Sequence, residues 1–83
     1  MVHDLKLIDA DEFTAIIADV CTTQFRKNDR DFQLGDILKL QKYDPIEHEY
    51  SGLSVAVKVM HIKKHRFGIP EGYCVMSIRV IRG

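Results

Sequence analysis

The chain has 83 residues, 46% apolar and 29% charged, which leaves room for one small core and argues against disorder. Twelve Lys+Arg cancel twelve Asp+Glu. A protein that coats nucleic acid by net charge alone is excluded by that balance.

Val2 to Ile8 alternates with period two. His3, Leu5 and Leu7 share one face and Asp4 and Lys6 the other, the pattern of a half-buried strand. Asp9, followed by Glu12, has the spacing of a helix N-cap with a capping box. Phe13, Ile16, Ile17 and Val20 then recur at helical spacing and predict an amphipathic helix over residues 10–20 that packs on a sheet. Thr22 to Lys27 reads as a second strand, with Thr22, Gln24 and Arg26 on one side and Thr23 and Phe25 on the other. Asn28 to Asp31 is a polar turn cluster. Phe32 to Gly35 leads through Asp36 into a third strand, Ile37 to Tyr43, which Asp44-Pro45 breaks. Residues 44–53 read as the longest loop. Ser54 to Ile62 alternates again, with Val55, Val57, Val59 and His61 on one face. Lys63 to Gly68 reads as a basic loop holding Phe67. Tyr73 to Ile81 is a last strand, apolar enough to lie inside a sheet.

The order is β-α-β-β-β-β in a single domain over residues 1–83. The connections 28–36, 44–53 and 63–72 are too short for parallel crossovers, so pairing is expected to be mainly antiparallel. A mostly β, α+β fold follows: a small open β-barrel of about five strands, with one helix after the first strand covering an opening.

Met1 to Ile8 lacks the unbroken apolar stretch of a signal peptide, and no apolar run approaches the ~18 residues of a membrane span. The expectation is a cytoplasmic protein. Cys21 and Cys74 lack CxxC spacing and read as free thiols, Cys74 as a buried structural one. His3, His48, His61 and His65 have no metal-ligand spacing, so neither metal nor cofactor is expected. Residues 1–55 hold six cations against eleven acids (6−11 = −5), and residues 56–83 hold six against Glu71 (6−1 = +5). Charge is therefore segregated along the chain.

The run Phe25-Arg26-Lys27-Asn28-Asp29-Arg30-Asp31-Phe32-Gln33-Leu34-Gly35-Asp36-Ile37-Leu38 closely resembles the signature of a small bacterial and phage family of unknown function. That family belongs to the ASCH group within the PUA-like superfamily. His3-Asp4-Leu5-Lys6, Asp44-Pro45, Tyr50-Ser51-Gly52, Phe67-Gly68 and Glu71-Gly72-Tyr73 extend the resemblance over nearly the whole chain. It implies a PUA-like barrel with a cleft, and an association with RNA or modified nucleosides. The ASCH motif G-x-K-x-x-E-x-R corresponds here to Asp19, Cys21, Gln24 and Arg26, of which only the arginine matches. One ASCH branch deacetylates N4-acetylcytidine with a lysine, a threonine and a glutamate. Cys21, Gln24 and Ser77 stand at those places. Gln24 cannot ionise, so it cannot replace a carboxylate as acid or base. Cys21 would need a lowered pKa and a base such as His3 or His61.

Arg26 is the strongest candidate, because a guanidinium in a cleft binds phosphate or a base edge bidentately. The alternative is a structural ion pair with Asp29, Asp31 or Asp36. Gln24 either reads a base edge or is a solvated strand residue. Lys6 is a cleft cation or an ordinary outer-face lysine, and Arg30 is the turn residue best able to reach a ligand. Lys63, Lys64 and Arg66, with Phe67, form either a phosphate-contacting loop with a stacking ring or a solvated loop. Tyr73 either stacks on a ligand or fills the barrel mouth. The leading expectation is a non-enzymatic module for RNA or a nucleotide-like ligand. A protein-interaction or phage accessory domain with a vestigial cleft is the first alternative, its partner unspecified. A small amidohydrolase is the second, disfavoured by the missing Lys/Thr/Glu set.

Overall fold

The computed structural model describes residues 1–64 and 68–82. Its elements are β1 (Val2–Leu7), α1 (Ala10–Ile17), β2 (Thr23–Lys27), β3 (Ile37–Asp44), β4 (Glu49–Lys63) and β5 (Tyr73–Val80). The strands form one sheet in the order β1-β3-β4-β5-β2, curled into a half-barrel whose edges are β1 and β2. Three of the four pairings are antiparallel, and β1 lies parallel to β3. The chain between β1 and β3 includes α1 and β2, which gives it the length a parallel crossover requires.

Alternation sets the two faces. Leu5, Leu38, Leu40, Val57, Val59 and Met76 point inward and are buried, and Phe13 and Ile16 of α1 close over them. Asp9 caps the helix, its carboxylate accepting from the amides of Asp11 and Glu12 at 3.0 and 3.1 Å. The predicted helix over 10–20 is too long at its C-terminal end. Asp19 adopts φ +60, and the amides of Asp19 and Val20 donate back to the carbonyls of Ile16 and Ala15. Those two bonds end the helix in a Schellman turn. Val20 is thereby turned out of the expected stripe and is 78% exposed.

The expected loop over 44–53 is mostly strand. Asp44 Oδ1 accepts from the amides of Ile46 and Glu47, so Asp44-Pro45 opens a tight turn over 45–48 and β4 begins at Glu49. A bulge between Val59 and His61 shifts the period of β4. His61 therefore leaves the face it was expected to share with Val55, Val57 and Val59 and is exposed. The expected basic loop starts later than Lys63, which still belongs to β4. His65, Arg66 and Phe67 lie outside the described residues.

His3, Gln24 and Asp36 are the buried polar side chains among the described residues, and none has an unpartnered buried polar atom. His3 Nε2 donates to Asp36 Oδ2 at 2.9 Å, and its ring packs edge-on against Phe32 at 4.9 Å. Asp36 also accepts from the Gln33 amide (3.0 Å) and the Met1 amino group (3.1 Å). These bonds fasten the start of β1 to the segment that enters β3.

Candidate functional site

The two sheet edges face each other across an open seam, and Arg26 spans it. The guanidinium comes from β2 on the inward side of the sheet, and its Nη2 donates to the Lys6 carbonyl of β1 at 3.1 Å. Its Nε donates to Gln24 Oε1 at 3.1 Å. The Gln24 amide nitrogen donates in turn to Glu12 on α1 and to the Thr23 carbonyl. A carboxylate can only accept, so Glu12 fixes which end of the Gln24 amide faces it. The amide oxygen is left to orient Arg26. Glu12 thus serves Gln24 and does not bond back to the Asp9 amide as its capping-box spacing predicted.

A cleft of about 520 Å³ opens at this seam. Lys6, Asp4 and Tyr50 form one wall, and Phe25, Arg26, Lys27, Asp29 and Arg30 the other. Burial lowers the Arg26 pKa, and Arg30 lowers it further, while the Glu12 and Asp29 carboxylates oppose both. The group stays charged at any physiological pH. Among the described residues no carboxylate lies within ion-pair distance of it, so Asp29, Asp31 and Asp36 are not its partners. The outcome is a half-buried cation held by two neutral acceptors, with its remaining N–H groups uncommitted among the described residues. Those conditions favour an incoming anion.

Lys6, Arg26 and Arg30 therefore converge on one cleft. The Lys6 ammonium sits 4.3 Å from the centroid of Tyr43 and 5.9 Å from that of Tyr50, in cation–π contact. Asn28 Oδ1 accepts from the Phe32 amide and holds the turn that carries Asp29 and Arg30. Gln24 is neither solvated nor free to read a base: it is 2% exposed and its amide is fully engaged. Lys63 is exposed on the outer face of β4, opposite Val75, and does not line the cleft. Lys64 is half-buried beyond the end of that strand. Arg66 lies outside the described residues. Tyr73 stands on the outer face of the sheet, where its ring stacks on Phe25 at 5.4 Å with planes 15° apart, and so does not fill the mouth.

Glu12, Phe25 and Tyr50 were not legible as site residues. Glu12 acts through a contact between α1 and β2 that no local pattern encodes. Phe25 had a weak signal, an aromatic ring at the strand position opposite to Gln24 and Arg26. The thiol of Cys21 donates to the Thr23 carbonyl at 3.4 Å, and no hydrogen bond joins it to His3 or His61 among the described residues. Ser77 is on the outer face, opposite Thr23 and His61. Burial pushes the Cys74 thiol pKa up, as befits a structural cysteine. No three His, Cys, Asp or Glu side chains among the described residues are grouped to hold a metal ion. No helix among them is long and apolar enough to cross a membrane.

Residues 2–78 match the model of one protein family, a domain of unknown function (DUF3850). No curated protein matches the chain.

Proposed function

The chain belongs to the DUF3850 family, and from that premise we propose that it is a binding module of the ASCH and PUA-like type, whose seam cleft takes a phosphate-bearing nucleotide or a nucleotide of RNA. Arg26 carries the reading. A guanidinium oriented by Gln24, half-buried and without an acidic partner among the described residues, is a preorganised phosphate donor. Lys6 and Arg30 add positive charge at the same cleft, and Phe25 and Tyr50 supply rings on its two walls for a base to stack on.

Binding is favoured over hydrolysis by how the side chains are employed. The Gln24 amide is committed to positioning, the Cys21 thiol to a backbone carbonyl, and the His3 ring to Asp36. The test is calorimetric titration with cytidine monophosphate and with cytidine. The monophosphate is expected to bind and the nucleoside to bind at least tenfold more weakly, about 1.4 kcal/mol or more. Arg26→Ala should abolish that preference. Equal affinity of the wild type for both ligands, or an unchanged preference in Arg26→Ala, would remove the basis of the proposal.

A further inference from the structure

The side of the sheet that faces away from the core has a composition of its own. Alternation and register place Lys39 of β3, Lys58 and Lys63 of β4, Arg79 of β5 and Lys27 of β2 there. Asp4 is the acid that shares this face over residues 2–6, 23–27, 37–41, 54–63 and 73–79. The net charge of +0 therefore balances this basic sheet face against an excess of acids over cations elsewhere, on α1 and the β3–β4 turn among other places.

Two observations go beyond charge count. Lys58 and Arg79 are directly opposite each other on neighbouring strands, and both are exposed. Like charges so placed destabilise a sheet, and among the described residues neither has an ion-pair partner. External negative charge placed over the pair would relieve that repulsion. The second observation is the Phe25–Tyr73 stack, which lies on the same face with Phe25 54% exposed and Tyr73 36% exposed. An acidic protein surface would use the cations and leave the paired rings idle. A strand of unpaired bases uses both.

We propose that this outer sheet face is a track for single-stranded nucleic acid. Lys58 and Arg79 hold its phosphates and the Phe25–Tyr73 pair stacks its bases. Tyr73 and Arg79 are both on β5 and ~20 Å apart at the rise of a strand, a span that suits several nucleotides. Phe25 belongs to this face and also lines the seam cleft, so the track passes the cleft mouth. The track goes beyond the proposed cleft ligand and does not depend on it.

Fluorescence titration with a labelled oligouridine of about twelve nucleotides, repeated over a range of salt concentrations, tests the track. The wild-type chain is expected to bind the oligouridine more tightly than a duplex of equal length or polyglutamate. The double variant Lys58→Ala/Arg79→Ala should bind it about tenfold more weakly or worse, with a salt dependence shallower by about 1.4 in the log–log slope. Its affinity for cytidine monophosphate should be unchanged, which also reports that it folds. Arg26→Ala should show the converse, losing the mononucleotide while keeping the salt-dependent oligouridine binding. Equal oligouridine affinity and slope in the wild type and the double variant would overturn the proposal. So would a wild type that does not bind oligouridine, or one that binds duplex or polyglutamate as tightly.

Discussion

Asp36 does at residue scale what a larger core does elsewhere. Its buried carboxylate accepts from His3, from the Gln33 amide and from the amino terminus, and its pKa falls to about 2 from an ordinary 3.8. The His3 hydrogen bond is the largest cause, and desolvation opposes it. A carboxyl whose folded pKa is depressed stabilises the fold above its unfolded pKa and loses that contribution as pH falls through the folded one. The stability advantage of the wild type over Asp36→Asn should therefore be full at neutral pH and shrink between about pH 4 and pH 2. Urea unfolding at a series of pH values checks this, and a constant gap would show that folding does not lower the Asp36 pKa. Glu12 makes a second residue-level prediction. Glu12→Ala leaves the buried Gln24 amide short of an acceptor and should cost about 1–3 kcal/mol. Glu12→Gln, which keeps an acceptor oxygen, should recover most of that in thermal unfolding. Local alternation put His3 on the apolar face, and the resemblance, through the one motif position that matches and the cleft it implies, pointed to Arg26. Neither could show the Asp36 or Glu12 contacts, which depend on where distant segments meet.

At the scale of elements, period and turn chemistry were the reliable signals, and their interruptions were not. The inward residues of β1, the inward Val55, Val57 and Val59 of β4, and the Asp9 cap follow directly from spacing. The end of α1 did not, because apolar Val20 continues the helical pattern while Asp19, in left-handed backbone, stops it. The bulge after Val59 moved His61 across the sheet for a similar reason: one inserted residue reverses every later side chain without changing the composition. The Lys58/Arg79 cross-strand pair belongs to this scale, since it exists only through the β4–β5 register. Lys58→Ala relieves like-charge repulsion on an exposed face, so it should leave thermal stability unchanged or raise it by up to about 1 kcal/mol. A melting temperature several degrees lower would mean that Lys58 has a structural partner.

The whole molecule is a curled sheet whose two edges, β1 and β2, are linked through the Arg26 side chain. Full barrel closure would satisfy both edges by pairing. Here Arg26 reaches from β2 to the Lys6 carbonyl of β1, and the seam it crosses is the cleft. The same guanidinium therefore links the edges and faces the space where a phosphate would sit. The family resemblance anticipated a cleft and an arginine. The helix-borne carboxylate that aims the arginine through a buried amide emerged only from the assembled fold. The most direct measurement follows the Arg26 Nε–H resonance by ¹H–¹⁵N NMR during addition of cytidine monophosphate and, separately, of cytidine. The prediction is a saturable shift of that resonance with the monophosphate, accompanied by Lys6 and Arg30, and little change with cytidine. An unmoved Arg26 resonance in the presence of saturating monophosphate, or equal shifts with both ligands, would contradict the assignment of the seam as a phosphate-binding cleft.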